Sequence, residues 1–195
     1  MSNILVKNGF ALFWSGWPSN WHPSPFSIQG TMIAAVMLGY TGWLSWRGTP
    51  EKKQVTIARV SATTYAIVTA VVYNALLRNS AGDPRDAGYD WPVVPNEIMH
   101  VWAAVLILLD WLIVAGYPKL RLRASLWVAA YPLAWLIFSV TRGMLDGWWA
   151  YWFLNPNEPA GVPGMLQYIG GITVLMIGLG FILIAIRKLV ARVFS

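Results

Sequence analysis

The sequence predicts an all-α fold, a polytopic transmembrane bundle of about five helices, on three observations. Hydrophobic residues make up 57% of the 195 residues and charged residues only 11%, whereas a soluble domain carries about 25% charge. A membrane-spanning helix needs roughly 20 apolar residues, so the chain has enough for about five. Loops separate the apolar segments, and two of them, Arg78–Pro95 and Gly143–Pro163, hold Pro, Gly, Asn, Asp and Trp. The chain has no cysteine, which excludes thiolate nucleophiles and cysteine metal sites.

Five apolar segments are the predicted spans. They are Ser27–Trp46, Val55–Leu77, Asn96–Ala115, Ala124–Thr141 and Gly164–Ile186. Residues 1–25 hold an apolar run, Phe10–Trp14, that is too short to cross a membrane. We therefore expect residues 1–25 to form a short segment on the outer side and residues 26–195 to form a single transmembrane domain.

The basic residues predict the topology. Ten of the 14 Lys and Arg residues fall on one side of the predicted spans, at Arg47, Lys52, Lys53, Arg59, Lys119, Arg121, Arg123, Arg187, Lys188 and Arg192. Because short cytoplasmic loops carry an excess of Lys and Arg, this side is predicted to be inside. The N-terminus is then outside and the C-terminus inside. The net charge of +6 reflects this topology, and no nucleic-acid partner is expected.

Polar side chains converge near the outer ends of the predicted spans. Thr31, Tyr73 and His100 each lie about four residues inside a helix end, roughly 6 Å deep. Ser27 precedes Thr31 by one turn, as Asn96 precedes His100. Gln167 enters from the last span and Arg142 ends the fourth, both on the same side.

This layer has two interpretations. A hydroxyl nucleophile needs a base within hydrogen-bond reach and donors for the oxyanion. Ser27 or Thr31 is then the nucleophile and His100 the base, with Asn96, Tyr73 or Arg142 orienting or stabilising. The alternative is a hydrogen-bonded polar layer that only fixes helix packing. A metal site is not expected, because the sole other histidine, His22, lies in the N-terminal segment.

Two charged residues lie within the predicted spans near the inner side. Asp110 is roughly 9 Å deep and Arg59 roughly 6 Å deep. An ion pair between them would make both tolerable in a membrane, so a structural Arg59–Asp110 pair is predicted. The alternative is a step in a proton or ion relay. In the last span, Gly171 and Gly178 share a face and are expected to allow close helix contact.

Short motifs in a fixed order resemble a known family. They are Phe26-Ser27-Ile28-Gln29-Gly30-Thr31, Asn96-Glu97-Ile98-Met99-His100, Asp110-Trp111, Tyr131-Pro132, Arg142-Gly143 and Tyr151-Trp152-Phe153-Leu154. Together they resemble the bacterial branch of the androgen-induced and androgen-dependent TFPI-regulating protein family. Its animal members hydrolyse fatty acid esters of hydroxy fatty acids with a membrane-embedded Thr and a His. The resemblance covers about residues 24–186.

The resemblance implies a site and a location. The family's His falls on His100, and its Thr falls on Ser27, with Thr31 as the alternative hydroxyl. Candidate substrate-binding residues are Tyr73, Arg142, Tyr151 and Gln167. The expected location is a cell membrane that the chain crosses several times, in bacteria the inner membrane.

The leading functional hypothesis is a lipid ester hydrolase of the outer leaflet. It needs no cofactor, and its partners are membrane lipids. The rival hypothesis is a non-enzymatic accessory or lipid-binding subunit that joins a protein partner in a larger membrane complex. A transporter is a weaker third hypothesis, because the sequence shows no inverted repeat and no broken helix near the midplane.

Overall fold

The computed structural model describes residues 26–78, 93–114 and 118–193, and these form a helical bundle without strands. The five long helices are α1 (Phe26–Trp46), α2 (Lys53–Leu77), α3 (Val93–Ile113), α4 (Leu122–Asp146) and α5 (Gly161–Val193). Each predicted span corresponds to one of them, so the all-α prediction is confirmed. The predicted outer segment, residues 1–25, lies outside the described residues, as does Ala115.

Four of the five helices, α2 to α5, are long and apolar enough to cross a membrane, which is compatible with an integral membrane protein. Helix α1 has 21 residues and no charged side chain, but it is not among the helices that are apolar enough over their length to be counted as spans. A fifth crossing therefore stays a prediction, as does the orientation of the two termini.

Helix α2 is the centre of the bundle. Of its apolar stretch, 61% is buried, against 22% in each of α3, α4 and α5. Small residues such as Ala62 and Ala66 let neighbouring helices approach its surface. Ser61, Thr63 and Thr64 are buried hydroxyl residues, and each donates to the carbonyl oxygen four residues earlier at 2.8–2.9 Å. A helix with several polar residues can therefore be buried at the centre, because these three hydroxyls are satisfied within it.

The start of α4 is irregular for an identifiable reason. Leu122–Ala129 forms a 3₁₀ helix, and Pro132 follows in the first turn of regular α-helix. Proline has no N–H, so it cannot bond the carbonyl oxygen of Val128 four residues before it. The buried hydroxyl of Tyr65 in α2 donates to that oxygen at 2.9 Å. The Tyr65 hydroxyl thus joins α2 to α4 at the Val128 carbonyl oxygen, which has no N–H partner four residues later.

Helices α4 and α5 form a V. Helix α5 packs closely against Leu122–Ala129 and against a short 3₁₀ turn, Trp152–Leu154, but much less against Ala130–Asp146. At the closed end, a Cβ on Gly180 would lie 2.9 Å from Cγ2 of Val128, so glycine is needed for this approach. Gly171 and Gly178, the pair expected to mediate close contact, have no such neighbour among the described residues.

Two helices contain a π turn near the end of the bundle that carries the polar layer. The turns are Tyr73–Leu77 in α2 and Ile98–Trp102 in α3. A π turn inserts an extra residue into the helical ladder and alters which carbonyl oxygens are paired. The hydroxyl of Thr31 in α1 donates to the carbonyl oxygen of Met99 within the second turn, at 3.2 Å.

Helix α5 is longer than predicted at both ends. Its 33 residues extend for about 50 Å, beyond the ~30 Å hydrocarbon core of a bilayer. Pro163 is tolerated because it lies in the first turn, where its N–H would have no partner. Towards the other end, Arg187 donates to the carbonyl oxygens of Leu112 and Val114, which end α3. The predicted span ends at Ile186, whereas in the structure the helix continues and the next residue, Arg187, joins two helices.

Candidate functional site

A cavity of about 190 Å³ lies where α2, α4 and α5 meet, and it is also lined by the first turn of α1, by α3 and by the loop before α5. Its wall is predominantly apolar, with side chains such as Val72, Trp135 and Met176. The described lining residues that carry a hydroxyl or imidazole group are Ser27, Thr69, His100, Tyr151 and Thr173. The structure thus brings predicted site residues from three separate segments, Ser27, His100 and Tyr151, to one apolar cavity.

His100 is held in a fixed orientation. The residue is 8% exposed, its ring stacks on Tyr73 with centroids 4.2 Å apart, and its Nδ1 lies 2.9 Å from the carbonyl oxygen of Asn96. A carbonyl oxygen accepts and never donates, so Nδ1 carries the proton in the neutral ring. The lone pair is then on Nε2, the atom for which the described residues offer no hydrogen-bond partner. This tautomer is the one that a general base requires.

Ser27 lies in the first turn of α1 beside Tyr151. Its backbone N–H donates to the hydroxyl oxygen of Tyr151 at 3.2 Å, across 124 residues of sequence. Burial raises the pKa of the Tyr151 hydroxyl, and the hydrogen bonds with Ser27 oppose this only in part. Tyr151 therefore stays protonated at neutral pH and keeps an O–H to donate. No hydrogen bond joins Ser27 to His100 in the described part of the chain.

Thr31, the alternative nucleophile, is placed differently from Ser27. Its hydroxyl hydrogen is used by the carbonyl oxygen of Met99, and Thr31 is absent from the described residues that line the cavity. Thr31 connects α1 to the π turn of α3. The geometry therefore favours Ser27 over Thr31 as the hydroxyl that faces the cavity.

Asn96 and Tyr73 support His100 from outside the cavity. The side-chain amide of Asn96 donates to the Tyr73 hydroxyl at 2.7 Å, and the Arg78 guanidinium lies 5.2 Å from the centroid of the Tyr73 ring. Arg78 is in turn paired with Glu97 at 2.6 Å on the exposed surface. The Asn96 side chain holds Tyr73, while its backbone carbonyl holds His100. Glu97 thus ties α2 to α3 rather than orienting the histidine.

Besides Tyr73, two more of the expected substrate-binding residues lie away from the cavity wall. Arg142 is buried, but its Nε pairs with Asp146 at 3.1 Å and its guanidinium stacks over Trp148 at 4.0 Å. Gln167 is exposed on α5. Neither residue is among the described residues that line the cavity. A substrate-binding role for them stays a prediction that this geometry does not support.

Sequence reasoning missed two polar features beside the cavity. Thr69 lines the wall, and its buried hydroxyl has no hydrogen-bond partner among the described residues, unlike Thr63 and Thr64 in the same helix. The Tyr131 hydroxyl donates to the side-chain oxygen of Gln29 in α1. Of these features, only Gln29 could have been recognised from the sequence, because a polar side chain inside a membrane needs a hydrogen-bond partner. Nothing in the sequence distinguishes Thr69 from its neighbours.

The predicted Arg59–Asp110 pair is present and has a third member. Arg59 is 2% exposed, and its Nη2 and Nε contact the Asp110 carboxylate at 2.5 and 2.8 Å. Its Nη1 contacts Glu51 at 2.9 Å. The cluster ties the loop after α1 to α2 and α3. Across the described ranges, no three His, Asp or Glu side chains are grouped to hold a metal ion.

No family model, no curated protein and no solved structure matches this chain.

Proposed function

We propose that the protein is a membrane-embedded hydrolase of lipid esters, with Ser27 as nucleophile and His100 as general base. The observation that carries the proposal is that a hydroxyl and a tautomerically fixed imidazole, on different helices, line one apolar cavity. An acyl chain fits such a wall, and few water molecules would compete there for the acyl group.

The chemistry follows a two-step acyl transfer. Ser27 Oγ attacks the ester carbonyl carbon while Nε2 of His100 takes the hydroxyl proton. The tetrahedral intermediate collapses, the C–O bond of the ester breaks, and His100 returns the proton to the leaving alcohol. Water, activated by the same Nε2, then hydrolyses the acyl-Ser27 ester and releases the fatty acid. The protonated Tyr151 hydroxyl, next to Ser27, donates to the oxyanion.

The family resemblance supports the same assignment. It implies a hydroxyl and a histidine on the first two motifs, and these are the positions that share the cavity. We propose that the chain is a distant relative of the androgen-induced and androgen-dependent TFPI-regulating proteins, with Ser27 in place of the family's threonine. In this site Nδ1 of the histidine is held by a backbone carbonyl.

A non-catalytic lipid-binding subunit of a membrane complex is the second candidate. It is favoured by one observation, that Ser27 and His100 share the cavity without a hydrogen bond between them in the described residues. In that case the cavity binds an acyl chain, and the polar groups of the wall only form hydrogen bonds with the polar end of the lipid.

Hydrolysis by the purified protein in lipid vesicles tests the proposal. The substrates are the p-nitrophenyl ester of a medium-chain fatty acid and the methyl ester of a long-chain fatty acid. We expect Ser27→Ala to abolish turnover and His100→Ala to lower kcat by about 10²–10⁴-fold. Thr31→Ala is the matched hydroxyl control and retains kcat.

Two results would contradict the hydrolase proposal. The first is an inactive wild-type protein that is folded by circular dichroism. The second is turnover that survives Ser27→Ala but is lost in Thr31→Ala, which would move the nucleophile to the other hydroxyl.

A further inference from the structure

We infer that the V between α4 and α5 is a lateral opening through which a single, uncharged acyl chain enters the cavity directly from the membrane. The inference rests on the proposed function, because it specifies the substrate class of the same site and its route of entry.

The opening follows from how the two helices pack. They are close at Leu122–Ala129, where Gly180 contacts Val128, and the Trp152–Leu154 turn packs on α5 at the other end. Between these points Ala130–Asp146 diverges from α5. The cavity lies in this gap, since both helices contribute to its wall over the diverging part.

Exposure of the wall shows where the gap reaches the surface. Leu133 of α4 lines the cavity and is 57% exposed, and Thr173 of α5 lines it and is exposed as well. Both helices are apolar enough to span a membrane, so the surface at this level faces lipid tails. An exposed wall on a spanning helix therefore opens towards the bilayer.

The chemistry of the wall selects the occupant. Apart from His100, which the proposed mechanism uses as a neutral base, none of the described lining residues is ionisable near neutral pH. A free carboxylate or phosphate would have no cationic partner, and burying an unpaired charge is strongly unfavourable. An acyl chain with a neutral ester at its end fits instead: the chain lies in the V, and the ester reaches Ser27 and His100.

The test uses a photoreactive probe, a fatty acid methyl ester with a diazirine in its chain, in phosphatidylcholine vesicles that contain the protein. Adducts are located by peptide mass spectrometry. The variants Leu133→Trp and Thr173→Trp narrow the gap from each side. The matched controls, Ile137→Trp and Val174→Trp, place the same side chain at exposed positions of the same helices that are not among the lining residues.

We expect wild-type adducts on lining residues of α4 and α5. Each gap variant should lower adduct yield by about tenfold, equivalent to ~1.4 kcal/mol of binding, while the two controls label like wild type. In the gap variants, hydrolysis of a long-chain methyl ester in the membrane should fall more than hydrolysis of a short, water-soluble ester, because the short ester does not need the membrane route.

Other outcomes separate the two proposals. Equal labelling of wild type and both gap variants would overturn the lateral opening. The same conclusion would follow from a second protein that co-purifies in equimolar amount, crosslinks to the gap and excludes the probe. Gap-dependent labelling of a folded wild-type protein that hydrolyses no ester would retain the opening and overturn the hydrolase.

Discussion

His100 derives its chemical character from two neighbours that act in different ways. The backbone carbonyl of Asn96 fixes the tautomer, and the Tyr73 ring fixes the plane of the imidazole. The Asn96 side chain bonds only Tyr73 in the described structure. Proximity of Asn96 and His100 in sequence therefore does not mean that the amide orients the base directly.

This division of roles predicts the effect of Asn96→Ala. The variant keeps the carbonyl that holds Nδ1 but loses the bond to the Tyr73 hydroxyl, so stability should fall by about 1 kcal/mol. The pH dependence of hydrolysis should keep its wild-type midpoint. Thermal unfolding in detergent and a pH–rate profile measure the two effects, with Arg78→Ala as a control for a more exposed contact of Tyr73. A shifted midpoint would mean that the amide acts on His100.

The buried ion cluster predicts a second effect at single residues. Asp110→Ala leaves Arg59 with one carboxylate in a buried place, and breaking such a pair costs about 3–5 kcal/mol. Replacing Arg59 and Asp110 by leucine and Glu51 by glutamine removes all three charges of the cluster, so this triple variant should be more stable than Asp110→Ala. Unfolding midpoints of the wild type and variants test this. A triple variant less stable than Asp110→Ala would show that Arg59 has an adequate partner in Glu51 alone.

At the scale of elements, the junction of α2 and α4 depends on a missing backbone donor. Tyr65→Phe leaves the buried Val128 carbonyl without its hydroxyl partner, which should cost about 1–3 kcal/mol. Pro132→Ala supplies an N–H four residues after Val128, so it should offset most of that loss. A double-mutant cycle on the unfolding free energy gives the coupling between the two changes. Additive effects would show that the oxygen is satisfied in another way.

For the whole molecule, the charge pattern predicts that the α1–α2 loop is cytoplasmic and the α4–α5 loop is outside. The chain contains no cysteine, so a single introduced cysteine is the one thiol of the protein that can be labelled. Thr49→Cys should react with an impermeant maleimide only after the cells are opened, and Asn157→Cys should react in intact cells. The opposite pattern would invert the topology, and labelling of both in intact cells would contradict an odd number of crossings between the two loops.

The helices could be predicted because each is a long apolar run, and the Arg59–Asp110 pair because two opposite charges within the spans, near the same side, need a partner. The π turns could not, since they depend on contacts such as that of Thr31 with the Met99 carbonyl. The bond between Ser27 and Tyr151 spans 124 residues and has no local signal. Arg142 and Asp146 are a pair whose i, i+4 spacing was visible in the sequence. That spacing indicates that Arg142 already has a charged partner, Asp146.

The central claim is that Ser27 is a nucleophile activated by His100, and covalent labelling tests it most directly. The detergent-purified protein is treated with a fluorophosphonate that carries an alkyl chain, and the modified residue is identified by mass spectrometry. We predict one phosphonyl adduct on Ser27, lost in Ser27→Ala and His100→Ala and retained in Thr31→Ala. A well-folded wild-type protein that takes up no probe would contradict the claim and favour the lipid-binding subunit.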